Sequence, residues 1–192
     1  KGLGEDELKK ISQFRKRGRI PCLSWCSKEL NWAGVFRCSQ PDEGLLGNQR
    51  CAEDEKLFSL VSPAKGKMRV VDLRPYTAAV ANRANGGGTE NESFYTSISL
   101  CFADIPNIHS VRDAWVKMVA AISRENCQIG PTTSTWAIDI ANSSWVKNVA
   151  LTINSAQLVI EKILLGQSVV VHCSDGWDRT AENTALVTMS LD

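Results

Sequence analysis

Apolar and polar positions repeat along this chain with two periods, and the period changes from one stretch to the next. Leu8, Ile11 and Phe14 recur at helical spacing within residues 5–16, where Glu5, Asp6 and Glu7 precede Lys9 and Lys10. This predicts an amphipathic helix that ends at Gly18. Residues 19–25 and Ala33 to Cys38 read as two strands of one hairpin, and residues 39–51 as a loop. A helix follows from Ala52 to about Val61, then a strand from Met68 to Leu73. Pro75 suits a first helical turn, so residues 75–85 are predicted helical and Gly86-Gly87-Gly88 stops them. Ser97 to Phe102 reads as a strand, residues 103–109 as a loop, and residues 110–123 as a helix with Val111, Trp115, Met118 and Ile122 on one face. A polar loop is predicted at 128–135. Ser143 or Ser144 then caps a long helix to about Leu165, with an apolar stripe of Trp145, Val149, Ile153, Ala156, Ile160 and Ile163. Gly166 stops it. Val169-Val170-Val171 reads as a buried strand, and a helix begins at Thr180. This order of elements predicts an α/β fold: a mixed sheet with parallel central strands, flanked by helices.

Composition changes this picture little. The chain has 192 residues, 43% of them apolar and 22% charged, as expected of one globular domain. The net charge of +1 argues neither for nor against an acidic partner, and no nucleic-acid partner is expected. No apolar run approaches the roughly 20 residues that span a bilayer. The seven cysteines are odd in number and not densely spaced, which fits a reducing compartment. Cys22, Cys26, Cys38 and Cys51 lack the paired close spacing of a zinc knuckle, so neither metal nor cofactor is expected. The basic run Arg15-Lys16-Arg17-Gly18-Arg19 has two open readings, a phosphate- or membrane-facing patch and a solvated helix end. The missing initiator methionine suggests a piece of a longer chain.

The chemistry gathers in Val169-Val-Val-His-Cys-Ser-Asp-Gly-Trp-Asp-Arg-Thr180. A tight loop here joins the carboxyl end of a strand to a helix N-terminus, where open α/β sheets bind ligands. Inward N–H groups and the helix dipole make such a loop an anion site. Gly176 permits the tight turn. Cys173 at its mouth would be held as a thiolate, a strong nucleophile. Arg179, six positions on, offers a planar fork for two phosphate oxygens. Cys-x5-Arg in this setting suits attack on phosphorus through sulfur. Thr180 is placed either to hydrogen-bond the sulfur or simply as a first-turn hydroxyl. His172 points off the loop by strand alternation, which suits orienting loop carbonyls. Asp178 and Asp175 are the nearest candidates for the acid that protonates a leaving group. Asp72 and Asp104, each at a strand end, are weaker ones. Trp177 either lines the pocket or packs on the protein.

The string His172-Cys173-Ser174-Asp175-Gly176-Trp177-Asp178-Arg179-Thr180 resembles the signature of the myotubularin family of phosphoinositide 3-phosphatases. Phe14 to Pro21, Arg37 to Pro41, Asp54-Glu55-Lys56, Ala79 to Asn82 with Gly86-Gly87-Gly88, and Asn107-Ile108-His109 resemble further segments of that family in order. The resemblance implies a tyrosine-phosphatase-like fold and hydrolysis through a phosphocysteine, with Asp178 as the acid and Asp175 on ring hydroxyls. It implies that Ser174 to Arg179 bind the phosphate, and that Asn82, Asn107 and Ile108 touch the inositol head group. From the residues alone both asparagines read as Asx caps. The implied substrates are phosphatidylinositol 3-phosphate and the 3,5-bisphosphate at a membrane surface. The implied setting is cytoplasmic, on endosomal membranes, in homo- or hetero-oligomers. A protein tyrosine or dual-specificity phosphatase and a noncatalytic scaffold are the alternatives. The resemblance also makes residues 1–192 the N-terminal part of a domain that continues, with an upstream lipid-binding domain absent. One face of the sheet is then expected to be uncovered.

Overall fold

The computed structural model describes residues 2–44, 46, 49–62, 66–125 and 136–192. The elements run α1 (Glu5–Phe14), β1 (Cys22–Ser27), β2 (Ala33–Ser39), α2 (Ala52–Val61), β3 (Met68–Asp72), α3 (Tyr76–Arg83), β4 (Ile98–Phe102), α4 (Ile108–Glu125), α5 (Trp136–Asn142), α6 (Trp145–Leu164), β5 (Val169–Cys173) and α7 (Asp178–Leu191). The strands form one sheet in the order β1-β2-β5-β3-β4. β1 is antiparallel to β2, and every other pair is parallel. The mixed sheet with parallel centre therefore stands, with β5 in the middle. The loop predicted at 128–135 lies outside the described residues.

Alternation along the strands sorts side chains to the two faces. Val35, Val71, Val169 and Val171 meet Val159 and Ile163 of α6 and Val187 of α7. Val70 and Val170 turn the other way, against Phe58 of α2 with Tyr95 and Ile98. Both faces of the central strands are thus covered, contrary to the expected bare face. The apolar surface left in solvent lies on helices instead, at Trp115, Val116, Val119, Val146 and Ile153.

Three predicted features shift. α1 stops at Phe14, because Arg15 turns extended (φ −92, ψ 134) and sends its side chain inward. Arg15 is therefore no part of a solvated patch. On α4 the buried positions are Ala114 and Ala121, while Trp115 and Ile122 face solvent. Small residues allow close approach there, which an apolar stripe read by size misses. On α6 the first half of the predicted stripe, Val149 and Ile153, also faces outward. Asn148, Thr152 and Ser155 are buried instead. Thr152 and Ser155 satisfy their hydroxyls on carbonyls one turn back, and Ser155 also accepts from Asn183 Nδ2 of α7 at 2.7 Å. Helix α5 had no counterpart in the sequence reading.

Candidate active site

β5 ends at Cys173 and α7 begins at Asp178, so residues 174–177 form the connecting loop. Four successive main-chain carbonyls in and before this loop each accept a hydrogen bond from outside it. His172 Nδ1 donates to Cys173 O at 3.1 Å, and the Gln40 N–H to Ser174 O at 3.0 Å. Arg19 donates to Asp175 O at 2.8 Å, and Arg37 to Gly176 O at 2.9 Å. A trans peptide sets its N–H opposite its C=O. With the carbonyls held outward, the N–H groups of 174–177 turn toward the bowl's interior. Gly176 has φ +68, and a Cβ on it would run into the Cys38 carbonyl, so only glycine fits.

Cys173 is buried at the floor of this bowl, 3% exposed. Burial alone would push its thiol up. The Thr180 hydroxyl, the Arg179 guanidinium and the N–H groups of Thr180 and Gly176 outweigh that and bring the pKa below the ordinary thiol value. The Thr180 hydroxyl is buried and has no hydrogen-bond partner among the described residues, which leaves it available to the sulfur. Arg179 donates to Ile105 O at 3.0 Å and Ser174 Oγ at 3.4 Å, which fixes the guanidinium at the rim. Sulfur, guanidinium and inward amides therefore share one concave site suited to a tetrahedral dianion.

Asn82 Nδ2 donates to Ser174 Oγ at 3.2 Å, so α3 reaches the loop. Asn107 spends its Oδ1 on the Ser110 N–H at 3.0 Å, capping α4. Ile108 is half exposed and lines a cleft of about 520 Å³ with Asp178 and Arg179. Asp178 stands in the first turn of α7, and Asp175 lies 3.7 Å from Arg17 Nε. Asp72 is withdrawn: it is fully buried and paired with Arg74 at 2.6 Å. Asp104, with Asp113, Lys117 and Lys147, lines an adjoining cavity that shares Pro106 and Asn148 with the Ile108 cleft. Trp177 is 64% exposed, with the Arg19 guanidinium 4.6 Å from its ring centroid.

Beneath the loop lies a fully buried charged chain. Arg15 bridges Asp54 (Nη2 to Oδ2, 2.5 Å) and Glu90 (Nη1 to Oε1, 2.5 Å). Glu90 Oε2 meets His172 Nε2 at 2.9 Å. Arg15 also donates to Ser39 O at 2.9 Å, and Ser39 stands opposite Cys173 in the β2–β5 register. From the sequence, Arg15 and Arg19 stood only in a basic run with an open phosphate-facing reading, and Arg37, Gln40 and Glu90 had no role of their own. A charged residue inside the otherwise apolar strand Ala-Gly-Val-Phe-Arg37-Cys was the one available signal. For Glu90 there was none.

Residues 1–192, the whole chain, match the family described as the myotubularin-like phosphatase domain. Myotubularin of Xenopus laevis is 41% identical over 192 residues, covering 98% of this chain and 31% of that protein. Phosphatidylinositol-3,5-bisphosphate 3-phosphatase MTMR2 of Mus musculus is 40% identical over 194 residues, covering 98% of this chain and 29% of that protein. The chain thus spans about a third of the length of the curated relatives it matches.

Proposed function

This chain belongs to the myotubularin-like phosphatase family, and from that premise we propose that it removes the 3-phosphate of phosphatidylinositol 3-phosphate and phosphatidylinositol 3,5-bisphosphate. One observation carries the reading. A thiol with lowered pKa sits below inward amides and one guanidinium, with the four carbonyls from Cys173 to Gly176 tied back.

In the proposed reaction the Cys173 thiolate attacks phosphorus in line with the leaving oxygen. The S–P bond forms as the P–O bond breaks, and Asp178 gives its proton to the inositol alkoxide. Arg179 and the loop N–H groups hold the equatorial oxygens. Water then attacks phosphorus, Asp178 takes its proton, and the S–P bond breaks to restore the thiolate and free phosphate. His172 and Thr180 support the loop and the sulfur. Ser174, Asp175, Gly176 and Trp177 complete the bowl, with Asn82, Asn107 and Ile108 on the head group. Two acids and no lysine in the loop disfavour a heavily phosphorylated head group. The relative named as a 3,5-bisphosphate 3-phosphatase supports the same class. Action at endosomal membranes from the cytoplasm, in oligomers with related chains, is part of the proposal.

Phosphate release from vesicles carrying either 3-phosphoinositide, set beside a phosphotyrosine peptide, tests it. Release from the vesicles that vanishes in Cys173→Ser is the expected result. Release from the peptide alone would replace the lipid by a protein substrate. Partner binding without release from either would favour the scaffold.

A further inference from the structure

One buried ionisable chain, the run from Asp54 through Arg15 and Glu90 to His172, takes part in no bond-making step of the proposed reaction. All four side chains are fully buried. They come from α2, the end of α1, the segment after the triple glycine, and β5. The last link touches the nucleophile's own residue, since the His172 ring meets Cys173 O through Nδ1 and Glu90 through Nε2. An imidazole contacting two acceptors at once needs both its N–H groups.

We propose that Glu90 is a positioning residue for the reactive loop: it keeps His172 doubly protonated, so that the Nδ1–H stays fixed on the Cys173 carbonyl.

Two consequences follow from peptide geometry. Fixing the Cys173 carbonyl fixes the Ser174 N–H on the opposite side, facing the bowl. A charged donor on that carbonyl also polarises the peptide and strengthens its N–H as a donor to an anion. Arg15 sets Glu90 in turn, by clamping Oε1 while Oε2 meets the ring. Burial by itself would strip His172 of its proton. Glu90, then Asp72, overcome that, with Arg74 opposing, and the pKa lies above the ordinary imidazole value. Glu90 lies well below the usual carboxylate range, although burial opposes this, because His172 and Arg15 face it.

This inference rests on reading Cys173 as the nucleophile, but its test does not depend on phosphate release. Nitrogen-15 spectra of the wild-type ring report its protonation directly. His172 should stay doubly protonated through the pH at which a free imidazole loses its proton, and a ring that is neutral there would overturn the proposal. Glu90→Gln keeps the shape and removes the charge. In that variant the rate of Cys173 alkylation by iodoacetamide at pH 6 should fall roughly five- to tenfold, its pH profile moving to higher pH. Asp54→Asn removes a charge from the same arginine without touching His172, and should leave the profile in place. A folded Glu90→Gln protein with the wild-type profile would make the chain merely structural and sink the idea. Should Glu90→Gln fail to fold, the wild-type ring spectrum decides alone. Normal His172 protonation with no phosphate release from any lipid would leave this inference standing and defeat the substrate assignment.

Discussion

The Cα of Gly176 faces the main-chain carbonyl of Cys38 with no room for a methyl group between them. A loop residue and a β2 residue are therefore packed backbone to backbone. Gly176→Ala would add a clash to an unfavourable φ of +68. It should lower stability by about 1–3 kcal/mol and abolish phosphate release, read by thermal melting and vesicle assay.

The two loop carbonyls at Asp175 and Gly176 are held by arginine side chains rather than by main chain. Arg37→Met keeps the aliphatic stem and removes the donor. The Gly176 peptide is then free to rotate, and the Trp177 N–H with it. Turnover should fall about 10- to 100-fold with little change in melting temperature, since the arginine is only partly buried. A melting shift as large as that of Gly176→Ala would show that Arg37 acts on the fold instead.

Arg15 is the hub of the buried chain, and truncating it strands two carboxylates. Arg15→Ala should cost about 3–5 kcal/mol, measured by urea unfolding. Lys10→Ala removes an exposed partner of Glu53 and should change stability by less than about 1 kcal/mol.

The His172–Glu90 pair gives stability a definite pH window. His172 holds its proton more tightly when folded, so its contribution is complete below about pH 6.5 and fades as pH rises through the higher folded value. Glu90 is shifted the other way. Its contribution is complete above about pH 4.5 and fades as pH falls toward the lower folded value. From this pair, urea midpoints should be greatest between about pH 4.5 and 6.5. The alkaline decline should disappear in Glu90→Gln.

The sheet was legible in the sequence because its strands are short β-branched runs between breakers, as in Val169-Val170-Val171 after Gly166. The bowl was legible because its residues are contiguous. What escaped is packing that departs from the apolar rule. Asn148, Thr152 and Ser155 take the buried positions of α6, with Ser155 bonded to Asn183 of α7, so the visible stripe through Val149 and Ile153 pointed the wrong way. Ala114 and Ala121 gave α4 a buried face that larger neighbours concealed. Arg15 read as part of a basic run, because no local pattern shows that Asp54 and Glu90 will meet it from 39 and 75 residues away.

The tethers on the bowl also carry a kinetic meaning. Arg37 and Arg19 reach their loop carbonyls across 139 and 156 positions of chain. Contacts of such long range must meet their loop-closure entropy before they repay it, and so form slowly. During refolding, helices should therefore appear well before the sulfur gains its unusual reactivity. Cys173 then serves as a built-in clock whose chemistry marks the last stage of assembly.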